Sequence, residues 1–207
     1  MNKKDLILSN SQAIQDIFVY YMLDKNSGYF LDIGSAHPIN INNTFFLEKK
    51  GWKGICIDID DHTLLYENLR TSKFINKDLI NNNINDILSD NNVPELIDYI
   101  SFDVDSATLT VMNIFDFNKY RFKIMTFEHD LYAGGHDKRK QSREILLKQG
   151  YKLLCSDIGN GGNIDNLINP YEDWWIDEKF FEKSVYEILQ CDSKDWKYVL
   201  SKIENSL

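Results

Sequence analysis

The chain has 207 residues and a formal net charge of -9, because 32 aspartates and glutamates outnumber 23 lysines and arginines. Its hydrophobic content of 43% over this length is enough to bury the core of a domain, which excludes a wholly disordered chain. The acidic charge disfavours general binding to nucleic-acid phosphates or anionic lipids, since those ligands need a basic surface.

Helical and strand-like patterns alternate along most of the chain. Apolar residues at helical spacing predict a helix over 11–23, within an N-terminal helical extension that covers 1–25. Predicted strands follow at 29–33, 54–57, 73–76, 97–104 and 122–127. Predicted helices separate them at 43–50, 61–70, 84–88 and around 109–112, and a further helix follows at 138–149. Two late strands at 151–155 and 162–168 are joined by a glycine turn, and C-terminal helices at 178–189 and 196–203 complete the chain.

This alternation predicts parallel strands joined by right-handed crossovers. The strands are largely apolar, which is typical of a sheet covered by helices on both faces. The two late strands have no helix between them and therefore predict an antiparallel strand at one edge. We predict one α/β domain over 1–207, with a doubly wound, seven-stranded, mostly parallel sheet and C-terminal helices over 178–207.

Acidic residues recur where the predicted parallel strands end. In a doubly wound sheet, ligands bind beyond the carboxyl ends of the strands. Acids of an ordinary solvated surface would instead scatter over helix faces, so the series predicts a binding site, although any single member could be structural. The residues at or just after these ends are Asp32, Asp58, Asp78, Asp103, Asp105, Glu128 and His129.

The loop after the first strand, Gly34-Ser-Ala-His-Pro38, narrows the choice of ligand. A glycine there lets the backbone approach a ligand, and an acid such as Asp58 can bind two ribose hydroxyls, which fits both NAD and S-adenosylmethionine. A pyrophosphate cradle uses several glycines, whereas this loop has one. A carboxylate-rich pocket also favours a cationic sulfonium. The pattern therefore favours S-adenosylmethionine, with an NAD-dependent dehydrogenase as the weaker alternative.

Several segments carry a family resemblance. Tyr29-Phe-Leu-Asp-Ile-Gly-Ser-Ala resembles the first motif of class I S-adenosylmethionine-dependent methyltransferases. Asn43-Thr-Phe-Phe-Leu-Glu48, followed by Gly51-Trp-Lys-Gly-Ile-Cys-Ile-Asp58, is similar to the signature of FkbM-type methyltransferases. Further matches in the same order extend the resemblance over about 29–177, at Asp98–Asp105, Thr126–His129, Gly150-Tyr151 and Glu172–Trp175.

The resemblance implies a Rossmann-like class I methyltransferase fold and methylation of a hydroxyl on a sugar or other small molecule. It also implies that Asp32 and Gly34 line the methionine end of S-adenosylmethionine, that Asp58 holds the ribose and that Asp78 faces the adenine. Asp103 and Asp105 would border the acceptor. The full implied cofactor-binding set is Asp32, Gly34, Ser35, Asn43, Thr44, Asp58, Asp78 and Asp103.

A hydroxyl acceptor benefits from losing its proton, which requires a base or a metal ion. The candidate catalytic residues are Asp103, Asp105, His129 and His136. Asp103 with Glu128 resembles the acids that hold a divalent ion in metal-dependent O-methyltransferases, and oxygen ligands suit Mg²⁺ or another divalent cation. Two simpler interpretations stay open: His129 as a hydrogen-bonding partner of the backbone, and the glycine loop before His136 as a flexible turn.

Two positions depart from the family pattern. Asp58 stands where glutamate is common, and Asp105-Ser106 stands where Glu-Gly is common. The second change removes a glycine beside the expected pocket, so a catalytically idle module that keeps the cofactor site is an alternative. The basic cluster from Lys138 to Arg143 is interpreted as a solvated helix face, and it leaves an RNA methyltransferase a remote alternative.

The cellular location is predicted from sequence patterns that the chain lacks. No segment approaches the roughly 20 consecutive apolar residues of a membrane span, and the start of the chain lacks the pattern of a signal peptide. Cys56, Cys155 and Cys191 are widely spaced, which indicates buried thiols and no disulfide framework or zinc site. We therefore expect a cytoplasmic protein with a small-molecule or sugar acceptor.

Overall fold

The computed structural model of the protein describes residues 1–161 and 168–207, without the side chain of Ser106. The strands are β1 Tyr29–Ile33, β2 Lys53–Asp58, β3 Lys73–Asn76, β4 Leu96–Phe102, β5 Arg121–Glu128, β6 Lys152–Gly161, β7 Ile168–Ile176 and β8 Cys191–Asp192. The α-helices are α1 Gln15–Leu23, α2 Phe45–Lys49, α3 Thr63–Leu69, α4 Ile84–Asp90, α5 Thr108–Ile114, α6 His136–Lys148, α7 Lys183–Tyr186 and α8 Trp196–Ser206.

All eight described strands form one sheet in the order β3-β2-β1-β4-β5-β7-β6-β8. Strands β1 to β5 pair in parallel, while β7 is antiparallel to both β5 and β6. The predicted α/β fold with a mostly parallel sheet is confirmed. The order reverses between β1 and β4, so a crevice is expected beyond the carboxyl ends of these two strands.

The sheet has one strand more than the seven predicted. Cys191 and Asp192 form a two-residue strand that pairs in parallel with β6. A strand of this length leaves no alternation of apolar and polar residues for a sequence pattern to reveal. The predicted late strand at 162–168 falls almost entirely on 162–167, which lie outside the described residues. Strand β7 instead contains the Glu172–Trp175 stretch.

The predicted helix at 178–189 is also wrong. A short 3-10 helix at Glu178–Phe180 and the four-residue α7 occupy the segment, and Phe181 and Glu182 between them have extended backbone. Phe181 packs against the hydrophobic core, which requires the chain to change direction there. Tertiary packing thus overrides a helical spacing of apolar residues.

Two hydrophobic cores cover the two faces of the sheet. Because successive strand residues point to opposite faces, Phe30 contributes to one core and Leu31 to the other. Helices α1, α2 and α8 pack on the first core, and α4, α5 and α6 on the second. The ring of Phe18 in α1 stacks on Trp174 with centroids 4.6 Å apart. The N-terminal helix is therefore part of the packed core.

In the part of the chain that the structure describes, every helix is too short or too polar to cross a membrane.

Candidate active site

A cavity of about 320 Å³ lies at the crevice beyond β1, β2 and β4. Its lining contains five carboxylates and a single lysine among the described residues, so the cavity carries a negative potential. Apolar side chains from the loops after β2 and β3, including Ile59 and Ile80, complete the wall. The charged lining residues are Asp58, Asp60, Lys77, Asp78, Asp103 and Asp105.

Gly34 forms part of the cavity wall, and no other residue fits its position. Its φ is +81°, and a Cβ built on it would lie 1.4 Å from the carbonyl oxygen of Asp103. Its N–H donates to the carbonyl of Ile57 at 2.9 Å, which fixes the loop over β2. The backbones that follow β1 and β4 can therefore approach each other closely only because residue 34 has no side chain.

Asp58 and Asp78 line the cavity as predicted from their place at the strand ends, and local hydrogen bonds hold both carboxylates. Asp58 accepts from the backbone N–H groups of Ala36 and Asp60, each at 2.8 Å. Asp78 accepts from the N–H of Ile80 at 2.8 Å. A carboxylate has about four acceptor positions. Both side chains therefore keep lone pairs for a ligand while their orientation is fixed.

Asp32 and Thr44 do not line the cavity, in contrast to the expectation for cofactor-binding residues. Both are buried, and the Thr44 hydroxyl donates to Asp32 at 2.7 Å. Burial raises the pKa of Asp32 to about 6, and the bond from Thr44 opposes this rise. Arg70 donates to Thr44 at 3.1 Å and forms an ion pair with Glu48. These residues form a support beneath the loop.

Ser35 is likewise buried and lies outside the residues that line the cavity. Its carbonyl accepts from the side chains of Asn42 and Tyr66, at 3.1 and 3.3 Å. Its own hydroxyl is buried without a partner in the described residues. The position of Ser35 indicates that it shapes the loop after β1.

A second, smaller pocket of about 30 Å³ shares Asp103 with the cavity. We call it the polar pocket. Asn43 lies here and not in the larger cavity, and its amide donates to the Ser101 hydroxyl at 2.9 Å. The other lining residues come from α1 and the segment before it, from the loop before α2 and from β4, β5 and β7. They are Gln12, Gln15, Ile41, Ser101, Phe102, Thr126, Glu128, Tyr171 and Glu172.

Asp103, which lines both the cavity and the polar pocket, lies beside Glu128, which lines only the polar pocket. Burial raises the pKa of both carboxyls, and the two lie close enough to share a hydrogen bond. Oxygen atoms of Asp103, Glu128 and the exposed Asp105 lie within 4.8 Å of one another. A set of carboxylate oxygens suits Mg²⁺ by ligand type. The predicted metal ligands are therefore brought together, and the metal itself remains a prediction.

Glu172 and Gln15 are residues of the polar pocket to which the sequence assigned no role. Glu172 is buried and accepts from the Gln15 side-chain amide at 2.9 Å. Burial raises the pKa of Glu172 to about 8. The available signal was the pair of acids, Glu172 and Asp173, between the aromatic residues Tyr171 and Trp174, because a buried carboxyl is rare without a partner or a function. No comparable signal marked Gln15.

His129 and His136 lie away from the pockets. His129 is fully buried, with Nε2 at 3.4 Å from Asp173 and 3.5 Å from Asp157, and its Nδ1 accepts from the Leu131 N–H. Its position supports a structural role at the end of β5. His136 is the exposed first residue of α6 and lines neither pocket.

The solvated face predicted for the basic cluster at the start of α6 is wrong for three of its four residues, while Lys140 is exposed. Arg139 makes two hydrogen bonds to Asp157, at 2.6 and 2.5 Å. Arg143 makes two to Asp173, both at 2.7 Å. Lys138 pairs with Asp130 at 2.7 Å. These three cations pair with carboxylates within β6 and β7 and just after β5, so they offer little to a phosphate backbone.

Solved methyltransferase structures share this fold. Precorrin-6y C5,15-methyltransferase from Geobacter metallireducens GS-15 aligns with 85% of this chain and 91% of its own, at 12% identity and a TM-score of 0.51. The methyltransferase domain of bacterial CtHen1-C aligns with 80% of this chain and 97% of its own, at 12% identity and a TM-score of 0.50. These similarities establish the class I methyltransferase fold.

A more distant structure is the Burkholderia thailandensis 1,6-didemethyltoxoflavin-N1-methyltransferase, crystallised with 1,6-didemethyltoxoflavin and S-adenosylhomocysteine. It covers 82% of this chain and 80% of its own, at 9% identity and a TM-score of 0.49. No protein-family model matches the chain, and no curated protein matches its sequence. Membership of the FkbM-type family therefore stays a hypothesis.

Proposed function

We propose that the protein is an S-adenosylmethionine-dependent methyltransferase that acts on a small molecule. The observation that carries the proposal is the acidic cavity at the reversal of strand order in a class I methyltransferase fold. The cavity residues Gly34, Asp58 and Asp78 stand at the ends of successive strands. The FkbM-type resemblance agrees with this function, and a cytoplasmic location is part of the proposal.

The charge of the cavity supports a cationic cofactor over a dinucleotide. Five carboxylates against Lys77 attract a sulfonium and repel a pyrophosphate. The loop after β1 also carries one glycine, Gly34, where a dinucleotide cradle needs more. An NAD-dependent dehydrogenase therefore fits this cavity poorly.

When bound, S-adenosylmethionine supplies a methyl group that its sulfonium already activates. The task of the protein is then to bind and orient two reactants, which alone can supply much of the rate. Asp58, held by two backbone N–H groups, would bind the ribose hydroxyls, and Asp78 would face the adenine. Asp103 and Glu128 stand at the junction with the polar pocket. There a carboxylate can accept the proton of a hydroxyl acceptor such as a sugar, with or without a divalent ion.

Titration calorimetry with S-adenosylmethionine and S-adenosylhomocysteine tests the proposal. We expect both to bind, and Asp58→Ala to weaken binding by about tenfold or more, since hydrogen bonds to a charged group are lost. Asp90→Ala, an exposed acid at the end of α4, is the matched control and should bind as the unchanged protein does. Binding of NADH in place of both compounds would contradict the proposal.

A transfer assay with radiolabelled S-adenosylmethionine then separates an enzyme from an idle binding module. The assay is run in parallel with added Mg²⁺ and with a chelator. We expect methyl transfer to small molecules of a cell extract. Cofactor binding without any transfer in either condition would favour the idle module.

A further inference from the structure

We propose that the acceptor carries a positively charged amino group and that the polar pocket binds this group. The inference rests on the proposed function, because it takes the larger cavity to be the cofactor site and the polar pocket to be the acceptor side of Asp103. It defines the acceptor by charge, as an amino sugar or another small molecule with a primary amine.

The ionisable side chains that line the polar pocket are three acids and a tyrosine. Asp103, Glu128 and Glu172 contribute three carboxyl groups, and no lysine, arginine or histidine lines the pocket among the described residues. The nearest cations on α6 are already engaged, since Arg143 pairs with Asp173 and Lys138 with Asp130. Burial raises the pKa of all three carboxyls, and a cationic ligand would favour their ionised forms by pairing with them.

The Tyr171 hydroxyl points independently to a ligand. Tyr171 is 4% exposed and lines the pocket, and its hydroxyl is buried without a hydrogen-bond partner in the described ranges. Burial raises the pKa of this tyrosine, and the charges of Glu172 and Glu128 raise it further, which indicates that these acids lie nearby. A buried hydroxyl without a partner is unfavourable, so a bound donor or acceptor would stabilise it.

Asn43 specifies the kind of partner that is missing. Its amide NH₂ already donates to Ser101 at 2.9 Å, while its Oδ1 is buried without a partner in the described residues. An amide oxygen can only accept a hydrogen bond, so its missing partner is a donor. A primary ammonium offers three donors to Asn43, Tyr171 and a carboxylate at once, whereas a hydroxyl offers one.

The size of the pocket limits what enters. A volume of about 30 Å³ is the space of a water-sized group, so only the tip of an acceptor fits. An ammonium group has this size, and the rest of the acceptor would extend towards Asp103 and the cavity. The pocket therefore recognises one charged group at the end of a larger molecule.

Calorimetric titration of matched compounds tests the inference, with and without saturating S-adenosylhomocysteine. D-Glucosamine is compared with D-glucose, and 1,4-diaminobutane with 1,4-butanediol. We expect at least one amine to bind about tenfold more tightly than its hydroxyl counterpart. A preference within the first pair would indicate an amino-sugar acceptor, and a preference within the second would indicate an aliphatic amine. If neither amine binds, or if neither binds more tightly than its counterpart, the inference is wrong.

Two variants locate the binding. Glu172→Gln removes a carboxyl that can ionise beside an ammonium but keeps an acceptor for Gln15, and Tyr171→Phe removes only the unpartnered hydroxyl. We expect each to weaken amine binding by about fivefold or more and to leave S-adenosylhomocysteine binding unchanged. Glu144→Gln, an exposed acid on α6, is the control for lost charge. Unchanged amine binding in both pocket variants would refute the site.

The two proposals fail in different ways. If the unsubstituted protein does not bind S-adenosylhomocysteine, the proposed function is refuted. The titrations run without that compound would still measure whether the protein prefers an amine. Normal S-adenosylhomocysteine binding without an amine preference refutes only the inference about the acceptor. If Glu172→Gln does not fold, Tyr171→Phe alone tests the site. Removing the Tyr171 hydroxyl breaks no hydrogen bond with the described residues.

Discussion

At the scale of single residues, Gly34 sets the geometry of the cavity. Gly34→Ala places a methyl group against the Asp103 carbonyl in addition to a strained φ. We expect it to lower the free energy of unfolding by about 2–4 kcal/mol and to abolish S-adenosylhomocysteine binding. Gly134→Ala is the matched control, because Gly134 has a φ of +96° but open space around it, and it should cost about 1–2 kcal/mol. Denaturant unfolding and calorimetry measure both, and equal losses in the two variants would contradict the argument.

Glu172 gives the protein a pH-dependent stability of known sign. Its folded-state pKa, about 8, lies above the ordinary value of 4.5, so the folded protein binds more protons between these values than the unfolded chain. Stability should therefore fall as the pH rises through this window. In Glu172→Gln the corresponding loss should be smaller by on the order of 1–4 kcal/mol between pH 5 and 8. Parallel stability curves for the two proteins would show that Glu172 does not ionise there.

At the scale of elements, α1 joins the core and the polar pocket. Phe18 stacks on Trp174 in β7, and Gln15 one turn earlier reaches Glu172 in the same strand. Phe18→Ala should lower the free energy of unfolding by about 3–5 kcal/mol, because it opens a cavity in the core. Phe180→Ala, at a ring that is 36% exposed, should cost less than about 1 kcal/mol in the same denaturant titration. Similar costs would mean that α1 packs only loosely.

The success of sequence-based prediction differs from element to element for physical reasons. The strands from 29 to 127 were predicted because buried parallel strands are short apolar runs, which end at polar residues. The helix predicted at 178–189 is wrong, because Phe181 packs against the core with extended backbone. The spacing of apolar residues along the sequence does not reveal this long-range contact. Strand β8 has two residues and leaves no pattern to detect.

At the scale of the whole molecule, the sequence located the edge of the sheet that carries the site but not the depth of each residue. Asp58 and Asp32 both sit at strand ends, yet one lines the cavity and the other is covered by Thr44. Depth depends on which loop lies above a strand end, and that is a property of packing. His129 is also at a strand end, but the carboxylates of β6 and β7 enclose it. Acids at or near strand ends are thus found in the cavity, in the polar pocket and in buried ion pairs, while others, such as Asp90, are exposed.

The polar pocket also has a consequence for how the chain is synthesised. The residues that line the larger cavity all fall between 34 and 107, whereas those of the polar pocket span 12 to 172. Strand β6 joins the sheet through β7, which is made after it. On the ribosome, every residue that lines the cavity is therefore made before Tyr171 and Glu172 of the polar pocket. The pocket proposed to bind the acceptor thus depends on residues that are translated after those of the cavity proposed to hold the methyl donor.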